Sequence, residues 1–146
     1  MIYSNILIPV DGSPHSENAA QKGIELAKQL SSTVTLLCVI DVGSITSTIE
    51  GSIMSPEIYS KYEKQAAEVV HGISQKYPYD KLNKLAIEGI PFEAINDMAK
   101  KIKADLIIMG THGRTGLGHL FVGSVAERVI RHSEIPVIVV PLHLAM

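Results

Sequence analysis

One feature constrains this chain more than any other: short runs rich in Ile, Val and Leu alternate with longer segments of helical spacing along its whole length. Strand-length apolar runs, each followed by an amphipathic helix, are the pattern of βαβ units, because parallel neighbours need a crossover that carries the chain back. "YSNILIPV" (3–10), "TVTLLCVI" (33–40), "KLNKLAIEG" (81–89), "ADLIIMG" (104–110) and "IPVIVV" (135–140) read as strands. The third is the most polar, which suits an edge. Residues 13–30 read as a helix with Ser13 as N-cap and Pro14 at the first helical position, placing Ala20, Ile24, Ala27 and Leu30 on one face. Residues 56–77 begin at Pro56 and stop before Pro78, residues 91–103 turn Phe92, Ile95, Met98, Ala99 and Ile102 inward, and residues 124–133 form a short fourth helix. The expectation is βαβαβαβαβ in one domain over 1–146, an α/β fold with an open parallel five-stranded sheet and helices on both faces.

A chain of 146 residues can bury one real core without staples. Its 13 Lys+Arg against 15 Asp+Glu give a net charge of -2, no global field for nucleic acid or an anionic membrane, so any anion site must be local. The single cysteine, Cys38, lies in an apolar run and reads as a buried hydrophobe. The N-terminal residues lack a signal-peptide pattern and no apolar run approaches the roughly 18 residues of a membrane span, so a cytoplasmic protein is expected. "DVGSITSTIEGSIMS" (41–55) has no firm period and reads as a long connection that could cover a site.

"GTHGRTGLGHLFVGS" (110–124) packs five of the 11 glycines into a loop between a strand and a helix. In a parallel α/β sheet that is where ligands meet free N–H groups, and glycines let successive N–H groups turn toward one anion, most naturally a phosphate. Two familiar phosphate motifs fail: "GHLFVGSV" has Ser124 where a P-loop needs lysine, and "GLGHLF" has Phe121 at the third position of G-x-G-x-x-G. Ser124 with Glu127 also spells a capping box, and the same hydroxyl can serve a backbone N–H or a phosphate oxygen. Asp11, just before Gly12-Ser13, reads equally as a turn residue or a ligand. Arg114 is the arginine placed to fork a phosphate, whereas Arg128 and Arg131 serve the helix end or pair with Glu127. His112, His119 and His132 have neither H-x-x-x-H spacing nor cysteine partners, which argues against zinc; Mg²⁺ carried by phosphates, with Asp11 as its carboxylate, is the expected metal.

Gly110-x-x-Gly113, nine residues, then Gly123-Ser124 closely resembles the nucleotide-binding signature of the universal stress protein family, G-x-x-G-x(9)-G-[ST]. "ILIPVDGS", "CVID", "GIPFEAI", "ADLIIMGTHG" and "GSVAERVIRHSEIPVIVV" extend the likeness over nearly the whole chain. The resemblance implies the ATP-binding branch of that family, with adenosine near Pro9, Asp11 and Val39, and phosphates on Gly113, Gly123, Ser124 and Val125. Met109 and Gly110 would line the floor, and Asp11 would take the family's place for ribose or metal contact. It also implies an adenine nucleotide α-hydrolase-like sheet of order 3-2-1-4-5, commonly dimeric through the last strand. The residues agree, since "IPVIVV" at a sheet edge would need covering, and a second copy across a two-fold axis covers it.

Three functions stay open on these residues: a nucleotide-dependent regulatory or signalling dimer in stress response, with a protein partner the sequence does not name; a slow ATPase or phosphoryl or adenylyl transferase using Asp11 and Mg²⁺; and a dimeric adaptor that binds no nucleotide. The nucleotide reading expects Gly113→Val and Gly123→Val to abolish binding while the fold survives.

Overall fold

Ile6, Leu7 and Ile8 are fully buried although successive side chains of a strand point to opposite faces, so the strand that carries them must be covered on both. In the computed structural model, which describes residues 2–44, 55–112 and 122–142, that strand is β1 (Asn5–Pro9). It is followed by α1 (Pro14–Leu30), β2 (Thr33–Asp41), α2 (Pro56–Lys76), β3 (Leu82–Gly89), α3 (Pro91–Lys101), β4 (Leu106–Gly110), α4 (Ser124–His132) and β5 (Val137–Val140). Pairing is parallel and the sheet order is β3-β2-β1-β4-β5. The expected order is therefore the observed one.

The period of two divides the core. Ile6, Ile8, Val34, Leu36, Leu106 and Ile108 pack under α1 and α2 with Ala20, Ile24, Ala27, Ala66, Val70 and Ile73. Leu7, Leu37, Ile107 and Met109 face the other way, against Ile95, Met98 and Ala99 of α3 and Ala126 and Val129 of α4. Cys38, 4% exposed, belongs to the first layer as its neighbours in the sequence suggest. Both outer strands are thinner in cover: β3 alternates half-buried and exposed residues over much of its length, and β5 leaves Ile138 41% exposed.

Local chemistry sets most boundaries. Ser13 and Ser55 cap α1 and α2, accepting from the N–H of Ser16 and Ile58, with proline at the first turn of each helix. The expected helix over 91–103 stops two residues early, at Lys101. Lys103 adopts a left-handed φ of 57°, which turns its N–H to Lys100 O (3.2 Å) and that of Ala104 to Ala99 O (2.8 Å). Ser31, at φ 57°, ends α1 in the same way, with Ser32 N–H on Ala27 O at 2.9 Å. Of the expected 41–55 connection, residues 45–54 lie outside the described residues.

The strands are unequally stitched. β2 and β3 share eight register pairs, from Val34↔Leu82 to Asp41↔Gly89, whereas β1 and β4 share two, Ile6↔Leu106 and Leu7↔Ile107.

Candidate functional site

From β1 the chain winds outward to β2 and β3, then returns to lay β4 on the other side of β1. The order therefore reverses between β1 and β4, and the crevice beyond their carboxyl ends is where such a sheet takes a ligand. Two turns build its walls.

The first follows β1. Asp11 donates its N–H to Ser16 Oγ (3.1 Å) and accepts the Ser13 N–H on Oδ1 (2.9 Å), while Gly12 takes a left-handed φ of 85°. Ser13 Oγ then accepts the Ser16 N–H at 3.2 Å. The Asp11 carboxylate is thus a turn former, one of its two sequence readings, and its position at the strand end also leaves it beside the crevice.

The second turn joins β4 to α4. A Cβ added at Gly110 would lie 2.8 Å from His15 O and 2.9 Å from His15 C, so the first turn of α1 rests directly on the end of β4. At Gly123 a Cβ would lie 2.8 Å from Thr111 O and 3.2 Å from His112 Cα, and the Gly123 N–H donates to Thr111 O. These two glycines are required first by the chain's own backbone. That corrects the expectation that Gly123→Val spares the fold, because here the side chain has a carbonyl and not open space in front of it. Gly113 and Arg114 lie outside the described residues, as does His119.

The capping-box reading is corrected as well. Gly123 is the N-cap of α4, its carbonyl accepting the Glu127 N–H at 2.9 Å, so Ser124 is the first helical residue and makes no capping hydrogen bond. The Glu127 carboxylate pairs instead with Arg131 one turn on, and Arg128 lies 5.4 Å from the centre of the Phe92 ring. Ser124 is exposed and Val125 is 36% exposed on the first turn of α4, where backbone N–H groups have no side-chain cap.

Of the remaining expected residues, Pro9 is the buried last residue of β1, Met109 is 5% exposed near the end of β4, and Val39 is half-buried in β2 on the same face as Met109. One residue that the sequence reading did not single out also belongs here. The His15 ring stands edge-on to His112, with centres 5.3 Å apart. His15 Nδ1 and His112 Nε2 are buried with no hydrogen-bond partner among the described residues, while His112 Nδ1 lies 3.1 Å from Thr111 Oγ1. Buried ring nitrogens left unpaired are costly and usually signal a missing ligand or water. The one local signal for His15 was its place beside Pro14, in the turn that opens α1.

Among the described residues no three His, Cys, Asp or Glu side chains cluster as metal ligands, and no helix is long and apolar enough to cross a membrane.

The model of the universal stress protein family matches residues 2–141. The chain is 38% identical over 141 residues to universal stress protein MJ0531 of Methanocaldococcus jannaschii, covering 95% of this chain and 82% of that one. Among solved structures, the hypothetical protein MJ0577 superposes with a TM-score of 0.85 at 32% identity, covering 99% of this chain and all of the other. The universal stress protein of Archaeoglobus fulgidus in complex with dAMP has the same fold, with a TM-score of 0.64 at 22% identity and 95% and 98% of the two chains covered.

Proposed function

The chain belongs to the universal stress protein family, and from that premise we propose that it is an ATP-binding regulatory protein of the stress response, working as a homodimer in the cytoplasm. One observation carries the reading: at the point where the strand order reverses, α4 presents a first turn with no side-chain cap, begun by Gly123 and Ser124 of the glycine signature. Uncapped N–H groups at a helix start are a ready site for phosphate. The unpaired His15 and His112 nitrogens support a ligand in the same crevice, and the dAMP complex of a protein with this fold supports an adenine nucleotide as its kind.

In this reading the adenosine lies along Pro9, Asp11 and Val39 over Met109 and Gly110. The phosphates run to Gly113, Arg114, Gly123, Ser124 and Val125, with Asp11 as the protein's carboxylate toward Mg²⁺. Charge on the phosphates is met by backbone N–H groups and the Arg114 guanidinium, an arrangement that binds and orients. ATP then biases which partner the dimer engages, through a difference in affinity between its two states. Ile138 on the open edge of β5 and Ile130 on α4, 41% and 45% exposed, support a second copy of the chain along the last strand, residues 135–140.

Ser124→Ala is the discriminating variant, because the hydroxyl makes no capping bond whose loss would disturb the fold. Calorimetric titration of Mg-ATP should give binding near micromolar that the variant weakens about tenfold, the size of one hydrogen bond to a charged group. Full-strength binding by Ser124→Ala removes the Ser124 hydroxyl from the site and leaves the backbone N–H groups as the phosphate donors, and no binding by the parent protein leaves the adaptor reading. A monomer in sedimentation at tens of micromolar overturns the dimer.

A further inference from the structure

At the opposite end of the sheet, near the start of β4, a cavity of about 90 Å³ lies between α3 and the turn from α4 into β5. Asn96 lines it, 9% exposed, and both its Nδ2 and its Oδ1 are buried without a hydrogen-bond partner among the described residues. Its neighbours on α3, Ile95, Met98 and Ala99, are apolar core, so a primary amide at this position is a costly exception. An amide in this state offers two donors and an acceptor to whatever fills the cavity.

The charges around it narrow the choice. Lys100 and Lys103 line the cavity against one carboxylate, Glu134, and Glu134 pairs with Lys100 at 3.3 Å. The Lys103 ammonium makes no ion pair among the described residues, and its left-handed backbone sets it at the turn that ends α3. The cavity therefore has surplus positive charge, a deep donor and a deep acceptor. Its volume holds roughly three waters or one organic acid of roughly two or three carbons.

We propose that this cavity is a binding site for a small carboxylic acid that carries a hydroxyl or amino group beside its carboxylate. The carboxylate accepts from Asn96 Nδ2 and the Lys103 ammonium, and the neighbouring donor meets Asn96 Oδ1. The site stands apart from the candidate nucleotide crevice and does not depend on it. α4 connects the two, its first turn at the crevice and its last at the cavity.

The test is nuclear magnetic resonance of the full chain labelled with ¹⁵N, titrated separately with lactate, glycine and acetate at constant ionic strength. Saturable shifts of the Asn96 side-chain amide with lactate or glycine are expected, and the stronger of the two tells whether hydroxyl or ammonium is the preferred donor. Acetate, lacking a donor for Oδ1, should bind about tenfold more weakly, as should lactate or glycine to Lys103→Gly, which keeps the left-handed turn but loses the ammonium. In Asn96→Leu the shifts, followed on the Lys103 backbone amide, should vanish. No saturable shift with any acid overturns the proposal and leaves a cavity filled by water. Equal affinity for acetate, or binding that survives in Asn96→Leu, overturns it as well.

Discussion

Gly23 and Gly110 are both glycines pressed against another element, and their neighbours differ in kind. A Cβ at Gly23 would come 2.6 Å from Ile8 Cδ1, the far end of a side chain that can change rotamer, whereas at Gly110 it would meet the carbonyl of His15 at 2.8 Å. The first contact is a packing choice between α1 and the sheet; the second is a meeting of two backbones. A core adjusts to a methyl group more readily than a crossing of main chains does, so the same substitution should read differently at the two places.

That difference can be broken by four glycine-to-alanine variants, compared through urea midpoints at unchanged slope. Gly110→Ala should have the largest effect, destabilising by about 3 kcal/mol, since neither β4 nor the first turn of α1 can retreat without losing its own hydrogen bonds. Gly123→Ala should cost about 2 kcal/mol, from the Thr111 carbonyl and the weaker capping of α4 by alanine. Gly23→Ala should cost about 1 kcal/mol or less, because the Ile8 rotamer penalty is offset by the gain in helix propensity. Gly72→Ala, with nothing within 4 Å of the added atom on an exposed part of α2, should stabilise by about 0.5–1 kcal/mol. If Gly110→Ala cost no more than Gly23→Ala, the distinction between backbone and side-chain contact would have no energetic content here.

Much of the fold was legible because its signals are local. Apolar runs marked five strands, and Ser13-Pro14 and Ser55-Pro56 marked helix starts through a hydroxyl acceptor and a preset φ. The early end of α3 was not legible, since Lys103 in a left-handed turn gives none of the warning that glycine or asparagine would. Glycine spacing pointed to the crevice, yet the same letters could not tell a backbone neighbour from a ligand. Only the tertiary approach of His15 to Gly110 and of Thr111 to Gly123 separates the two. Ser124 shows the reverse case: a pattern that spells a cap is overruled by one residue of phase, because Gly123 holds the capping position. His15 and Asn96 escaped attention for the same reason, each becoming unusual only through what the fold buries beside it.

The slender join between β1 and β4 bears on how the molecule opens. With two register pairs there and eight between β2 and β3, the sheet divides into a first unit of three strands and a second of two, joined at the start of β4 by the Asp105 N–H on Asn5 O and by the Asp105 carboxylate, which accepts from the N–H groups of Ser4 and Asn5. Hydrogen exchange should find them as separate cooperative units, with amides of β4 and β5 exchanging through openings that leave β2 protected. The crevice is the unfastened end of this join, so a molecule lodged in it touches both units at once. It would act as a clasp, and its signature in exchange would be the merging of two opening events into one.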